Sequence, residues 1–373
     1  MDGPWQQLAA ERDTRRRQGL VRRLQPLPAG VLDLAGNDYL GLSRHSTVVA
    51  AATRALAEHG ASATGSRLVT GTTVLHDQLE HALAARTGAE SALVFSSGYL
   101  ANLAVVSALA GPGSLVVSDA DNHASLVDAC RLSRAAVRVV PHGDVAAVER
   151  ALRGHDGPAL VVTDAVFSVD GALAPIEDLL HVVRRTGALL LVDEAHGLGV
   201  LGARGAGAAA YLAGAPELVR TATLSKALGS QGGVVLGPVV LRDALVDTAR
   251  PFVFDTGLAP ASCAAALAAL ELVDDERVRR LACVGRRLTE ALGVERTPGA
   301  VVRVPVGDPH EALAAQARAL AQGVAVGCFR PPSVRAGEAC LRLTARADLS
   351  DADVARAAQV VRAAATQPAV QHM

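Results

Sequence analysis

"SALVFSSGYLANLAVVSALAGPGSLVVSD", residues 91–119, carries no charged side chain before its final Asp119. That is apolar length enough for a membrane span, but Ser96-Ser97-Gly98 and Gly111-Pro112-Gly113 break it into strand, turn, helix, turn and strand. The pattern continues outward. "VRVVPH" at 137, "ALVVTDAVF" at 159, "ALLLVDEAH" at 188, "VRTATLS" at 219 and "GGVVLG" at 232 are short, β-rich apolar runs, most of them separated by helix-like stretches. Runs without polar alternation are strands buried on both faces, so the spacing predicts an α/β domain with a mostly parallel seven-stranded sheet. Residues 259–292 read as a connecting helix and 293–373 as a small α+β domain that residues 1–45 join, leaving 46–258 as the large domain.

Composition narrows the function. The formal net charge is −1 and aromatic residues make up 2% of the chain, which gives neither a field for nucleic acid or anionic lipid nor stacking platforms for bases. Five scattered cysteines, none in a CxxC spacing, predict reduced thiols in a cytoplasmic protein without a zinc site. The N-terminus has arginine clusters but no apolar core of an export signal.

Lys226, in "TATLSKALGS" at 221–230, is the one lysine beside thirty-five arginines. Arginine can solubilise a surface or pair with a carboxylate, but only an amine can lose its proton near neutral pH and form a Schiff base. In an open α/β sheet, ligands bind beyond the carboxyl ends of the strands. Four runs deliver polar groups there: His123, Ser168, Asp193 with His196, and Thr223 with Lys226.

Two motifs are decoys. "GLGVLG" at 197–202 has the dinucleotide-binding glycine spacing, but its strand ends too early and "ARGAG" cannot open the helix that would hold a pyrophosphate. "VDEAH" resembles a nucleotide-hydrolysing strand, yet no glycine-rich loop containing lysine accompanies it. "FSSGYLAN" at 95–102, by contrast, places Ser and Gly between a strand and a helix, where free N–H groups and the helix dipole favour an anion. An amine, a phosphate turn, a strand-end acid and two histidines together call for pyridoxal phosphate. Neither His123 nor His196 has ligands spaced for a metal.

"NDYLGL" at 37, "GSRLVTGTTVLHDQLE" at 65, "FSSGYLAN" at 95, "NHASL" at 122, "FSVDG" at 167, "DEAHGLGVLG" at 193, "TLSKALG" at 223, and "FRPPSV" with "LRLTARADL" near the end resemble the α-oxoamine synthases over nearly the whole chain. The resemblance implies an aspartate-aminotransferase-like fold (fold type I), a homodimer, and condensation of an amino acid with an acyl thioester. Within the family the chain looks most like members that use L-alanine and a pimeloyl thioester, carried by CoA or an acyl carrier protein. Sister enzymes using glycine share the cofactor motifs and are the alternative reading; a pyridoxal phosphate aminotransferase is a further alternative, of a different class. By motif, the resemblance makes Lys226 the cofactor lysine and base, stacks His123 on the ring, pairs Asp193 with its nitrogen, and sets His196 and Ser168 on its phenolic oxygen. Gly98, Tyr99 and Thr223 would hold the phosphate, with Thr256 from a second copy. Arg22, Asn37, His123, Arg330 and Ser333 would contact substrate.

Overall fold

The computed structural model describes residues 3–366. The chain forms two compact units, one of Asp38–Ser168 and Ala172–Leu281, the other of Met1–Asn37, Val169–Gly171 and Ala282–Met373 as far as these are described.

In the larger unit the seven apolar runs are seven strands: β1 (Ser91–Phe95), β2 (Leu115–Asp119), β3 (Ala136–Val140), β4 (Ala159–Asp164), β5 (Leu189–Asp193), β6 (Leu218–Thr223) and β7 (Gly233–Gly237). They lie in the order β1-β7-β6-β5-β4-β2-β3. Only β7 runs against its neighbours; the remaining pairs are parallel. Because side chains alternate across a strand, β2, β4, β5 and β6 each feed two cores. Leu115, Val117, Val161, Leu190 and Val192 enter one; Val116, Leu160, Val162, Leu191 and Val219 enter the other. Each such burial contributes about 1.5–3 kcal/mol. Six strands pointing the same way bring their carboxyl ends, and the polar residues that follow, to one edge of the sheet.

Two helices matter most at that edge. Helix α1 (Gly98–Leu109) follows β1 and is capped by Ser97, whose Oγ accepts from Leu100 N at 3.2 Å. Helix α2 (Ala124–Ser133) follows β2, and its cap is the His123 side chain, whose Nδ1 accepts from Ser125 N at 3.2 Å.

The smaller unit, taken by itself, has an antiparallel sheet in the order Gly327–Phe329, Ala339–Thr344, Val301–Gly307. Leu32–Asp33 pairs in parallel with Val324–Ala325. The sequence reading places boundaries at 45/46, 258/259 and 292/293, whereas the compact units change at 37/38 and 281/282. Its single connector over 259–292 is two helices, Pro260–Leu272 and Asp275–Leu292. Asp274 starts the second by accepting Arg277 N at 2.7 Å, a side-chain cap that competes with continuing the first. The extreme ends of the expected terminal segments, residues 1–2 and 367–373, lie outside the described residues. Among the described residues no helix is long and apolar enough to cross a membrane.

Candidate active site

Lys226 sits in the turn that follows β6, closed by Ser230 N donating to Leu224 O at 3.0 Å. Its Nζ lies 2.8 Å from His196 Nε2, and His196 Nδ1 lies 2.5 Å from the Tyr39 hydroxyl. His196 is held by the turn after β5, whose anchor is Glu194. The Glu194 carboxylate is buried and accepts Ala208 N at 2.9 Å and Ala209 N at 2.6 Å. Burial pushes its pKa up, while those two N–H groups pull it down. The glycines of "GLGVLG" serve this packing: a Cβ on Gly197 would fall 1.8 Å from Glu194 Oε2, and one on Gly199 would fall 2.5 Å from Ala227 Cβ. Both decoy motifs thus have a structural reading, the acid and glycines of one loop shaped around each other.

Asp193 ends β5 and is 5% exposed. Its Oδ1 accepts Ala195 N at 2.8 Å and its Oδ2 accepts Asn102 Nδ2 at 2.6 Å. The same amide nitrogen donates to Ser125 Oγ at 2.8 Å, and Asn102 Oδ1 accepts the Thr221 hydroxyl at 2.6 Å. Ser125 Oγ in turn lies 2.7 Å from His123 Nδ1. From behind, Asp164 Oδ2 accepts His123 N at 2.7 Å. Asp164 is the cross-strand neighbour of Asp193. Burial, and then the charge of Asp193, push its pKa well up. His123 is pulled down, chiefly by loss of water around its ring base, with Asp193 opposing and Lys226 reinforcing.

Gly98 opens α1 against Thr223, where a Cβ would meet Thr223 Cβ at 3.2 Å, and a Cβ on Gly233 would lie 2.4 Å from Gly98 N. That close packing keeps the start of the helix bare, and its first N–H groups have no partner within the helix. Thr223 Oγ1 lies 2.7 Å from Ser225 Oγ and donates to Gly232 O at 3.0 Å. Ser96 donates to Asp255. Tyr99 donates its hydroxyl to Asp128 Oδ2 at 2.5 Å, and that bond raises its pKa. Thr256 is exposed and pairs with Ser66 across an antiparallel bridge. Ser168 follows β4 and is half-buried.

The fit to pyridoxal phosphate is direct: an amine for its carbonyl, a glycine-opened helix start for its dianion, and a buried carboxylate for its ring nitrogen. Among the described residues no group of His, Cys, Asp and Glu is arranged to hold a metal.

The remaining expected residues lie in the smaller unit. Arg22, Arg330 and Ser333 line a cavity of about 900 Å³ there, as does Arg23. Arg330 donates to the carbonyl of Gly19, and Ser333 N donates to Arg330 O at 3.0 Å. Asn37 Oδ1 accepts Arg342 Nη2 at 3.0 Å. The sequence reading assigns no role to Tyr39, Asn102, Ser125 or Asp164. One signal was present: Asn102 is a lone amide in the apolar helix "YLANLAVVSALA", and a buried amide requires partners.

The family model for aminotransferase class I and II matches residues 29–361. The 8-amino-7-oxononanoate synthase of Mycobacterium sp. (strain KMS) is 61% identical over 357 residues, covering 94% of each chain. The serine palmitoyltransferase of S. paucimobilis, solved with bound PLP–myriocin, superposes with a TM-score of 0.89 at 29% identity, covering 96% of this chain and 97% of that one. The 8-amino-7-oxononanoate synthase of Francisella tularensis superposes with a TM-score of 0.76 at 26% identity, covering 90% and 98%. The chain therefore belongs to the class I and II aminotransferase family of pyridoxal phosphate enzymes, in its α-oxoamine synthase branch.

Proposed function

We propose that the chain condenses L-alanine with a pimeloyl thioester, releasing carbon dioxide and free thiol to give 8-amino-7-oxononanoate for biotin synthesis. The observation that carries this reading is the Lys226 amine at 2.8 Å from His196 beside the buried Asp193, in a chain 61% identical to a synthase of that name.

When bound, pyridoxal phosphate supplies an electron sink that acidifies the amino acid's Cα. Lys226 would hold it through Nζ and, once released, take the Cα proton. Asp193 would keep the ring nitrogen protonated: a charge pair at about 4 Å and an effective dielectric near 20 is worth roughly 4 kcal/mol. That is about three pKa units. His123 would lie on the ring face, and His196 and Ser168 would bind its phenolic oxygen. Gly98, Tyr99 and Thr223 would cradle the phosphate, completed by Thr256 of the partner subunit. Arg330 and Ser333, with Arg22 and Asn37, would bind substrate carboxylate and carbonyl groups, for which a guanidinium is suited.

A homodimer fits the exposed apolar side chains Leu68 (51% exposed), Val69 (78%) and Phe254 (70%), which flank the Ser66–Thr256 bridge. The enzyme would act in the cytoplasm, on pimeloyl groups carried by CoA or an acyl carrier protein. The test is one assay of the purified protein with pimeloyl-, acetyl- and succinyl-CoA against alanine and glycine. Turnover confined to alanine with pimeloyl-CoA supports the reading; preference for glycine points instead to a sister activity.

A further inference from the structure

The backbone of His123 is held by a carboxyl group that the roles assigned above leave out. His123 caps α2, and the N–H of a cap residue lies outside the helix's own hydrogen-bond ladder. In a capping box that donor is taken by a Glu or Gln three residues further on. Here that position is Leu126, which has no acceptor to offer. Asp164, at the end of the adjacent strand β4 and 2% exposed, supplies one instead: its Oδ2 accepts His123 N at 2.7 Å. The tie is reciprocal. Asp164 N donates to Asn122 Oδ1 at 3.1 Å, and Asn122 Nδ2 donates to Val162 O at 2.8 Å and to Ser118 Oγ at 2.9 Å. The bonds between this turn and β4 each have a backbone N–H or C=O at one end, so their donors and acceptors are fixed.

We propose that Asp164 is a positioning residue for the His123 ring: it holds the peptide nitrogen while Ser125 Oγ meets ring Nδ1 at 2.7 Å, and together they fix where the imidazole lies over the cofactor. What Asp164 supplies is an acceptor rather than a second anion. Burial, and then the charge of its cross-strand neighbour Asp193, hold its carboxyl well above the usual range. An amide of the same shape carries the same acceptor oxygen. The inference rests on the proposed reading of His123 as the residue on the cofactor ring.

The test is a double-mutant cycle read on cofactor binding, with no turnover needed. Cofactor-free wild type, Asp164→Ala, Asp164→Asn, His123→Ala and the chain carrying both Asp164→Ala and His123→Ala are titrated with pyridoxal phosphate and followed by visible absorbance. Asp164→Ala is expected to raise the Kd about three- to tenfold, the worth of one hydrogen bond. Asp164→Asn should stay within about twofold of wild type, and in the His123→Ala chain the loss of Asp164 should cost no more than about twofold further. Three results would each overturn the proposal: wild-type affinity in Asp164→Ala, a loss in Asp164→Asn as large as in Asp164→Ala, or an equal loss with and without the His123 ring. The last is what a merely structural role predicts. Should Asp164→Ala not fold, Asp164→Ser, whose side chain is one atom shorter than the native one needs to reach His123 N, takes its place with the same outcomes; failure of both to fold assigns Asp164 to structure alone and overturns the proposal. A wild-type chain that takes up no pyridoxal phosphate would defeat the proposed function, and this inference with it.

Discussion

Asn102 Nδ2 donates to Asp193 Oδ2 at 2.6 Å and to Ser125 Oγ at 2.8 Å, so one buried amide sets both the carboxylate and, through Ser125, the His123 ring. An amide nitrogen has two hydrogens, and here both are committed. Asn102→Ala leaves the Thr221 hydroxyl and an Asp193 oxygen short of a partner, at a cost of about 1–3 kcal/mol in stability. Chemical denaturation and cofactor titration are expected to show lower stability and weaker cofactor binding together. Unchanged values in both would remove Asn102 from the support of the site.

Asp193→Asn is expected to retain cofactor and lose turnover by at least about a hundredfold, since roughly 3–4 kcal/mol of charge stabilisation is removed. An amide keeps the shape of the contact but cannot hold a ring proton in place. Steady-state kinetics on the reconstituted variant checks this; rates within a few-fold of wild type would mean the carboxylate is not the ring's counter-ion.

His76 makes a pH prediction. Its ring is fully buried, with Nε2 on Leu258 O at 2.9 Å and Nδ1 accepting Thr73 N at 3.2 Å, a pattern that only the neutral tautomer satisfies. Burial, with Arg67 nearby, lowers its pKa from 6.5 to about 4. Because the folded value lies below the unfolded one, the unfolded state binds more protons between them. The contribution of neutral His76 is therefore complete above about pH 6.5 and is lost as pH falls toward 4, amounting to about 3 kcal/mol. His76→Gln should flatten the stability curve over that window, measured as the difference from wild type. Parallel curves would show that His76 does not titrate with folding.

Arg330→Ala is expected to raise the apparent KM for alanine at least about tenfold, as loss of a charge-assisted bond worth roughly 1.5–3 kcal/mol requires. Cofactor absorbance should be unaffected. An unchanged KM would take Arg330 out of the substrate site.

The seven strands were legible in the sequence because strands buried on both faces, such as "ALLLVDEAH" and "ALVVTDAVF", have no polar alternation to blur them. The strand-end groups were legible for the same reason: Asp193 and His196 mark where such a run stops. Tyr39 and Asn102 were not, because their meaning lies in partners 157 and 91 residues away along the chain. Sequence periodicity reports burial, not which distant side chain shares a bond. The division of the connector into two helices turned on a local competition, Asp274 capping a new helix where the apolar pattern alone reads as continuous.

We propose that position 226 keeps a lysine in a chain otherwise served by arginine because the chemistry needs an amine. Borohydride reduction of the cofactor-loaded protein, followed by peptide mapping, tests it most directly. One cofactor per chain should be fixed, on peptide 221–230, and Lys226→Arg should lose both that label and the visible absorbance of the bound cofactor. A label that maps to the α-amine of Met1, or an arginine variant that keeps its activity, would contradict the account.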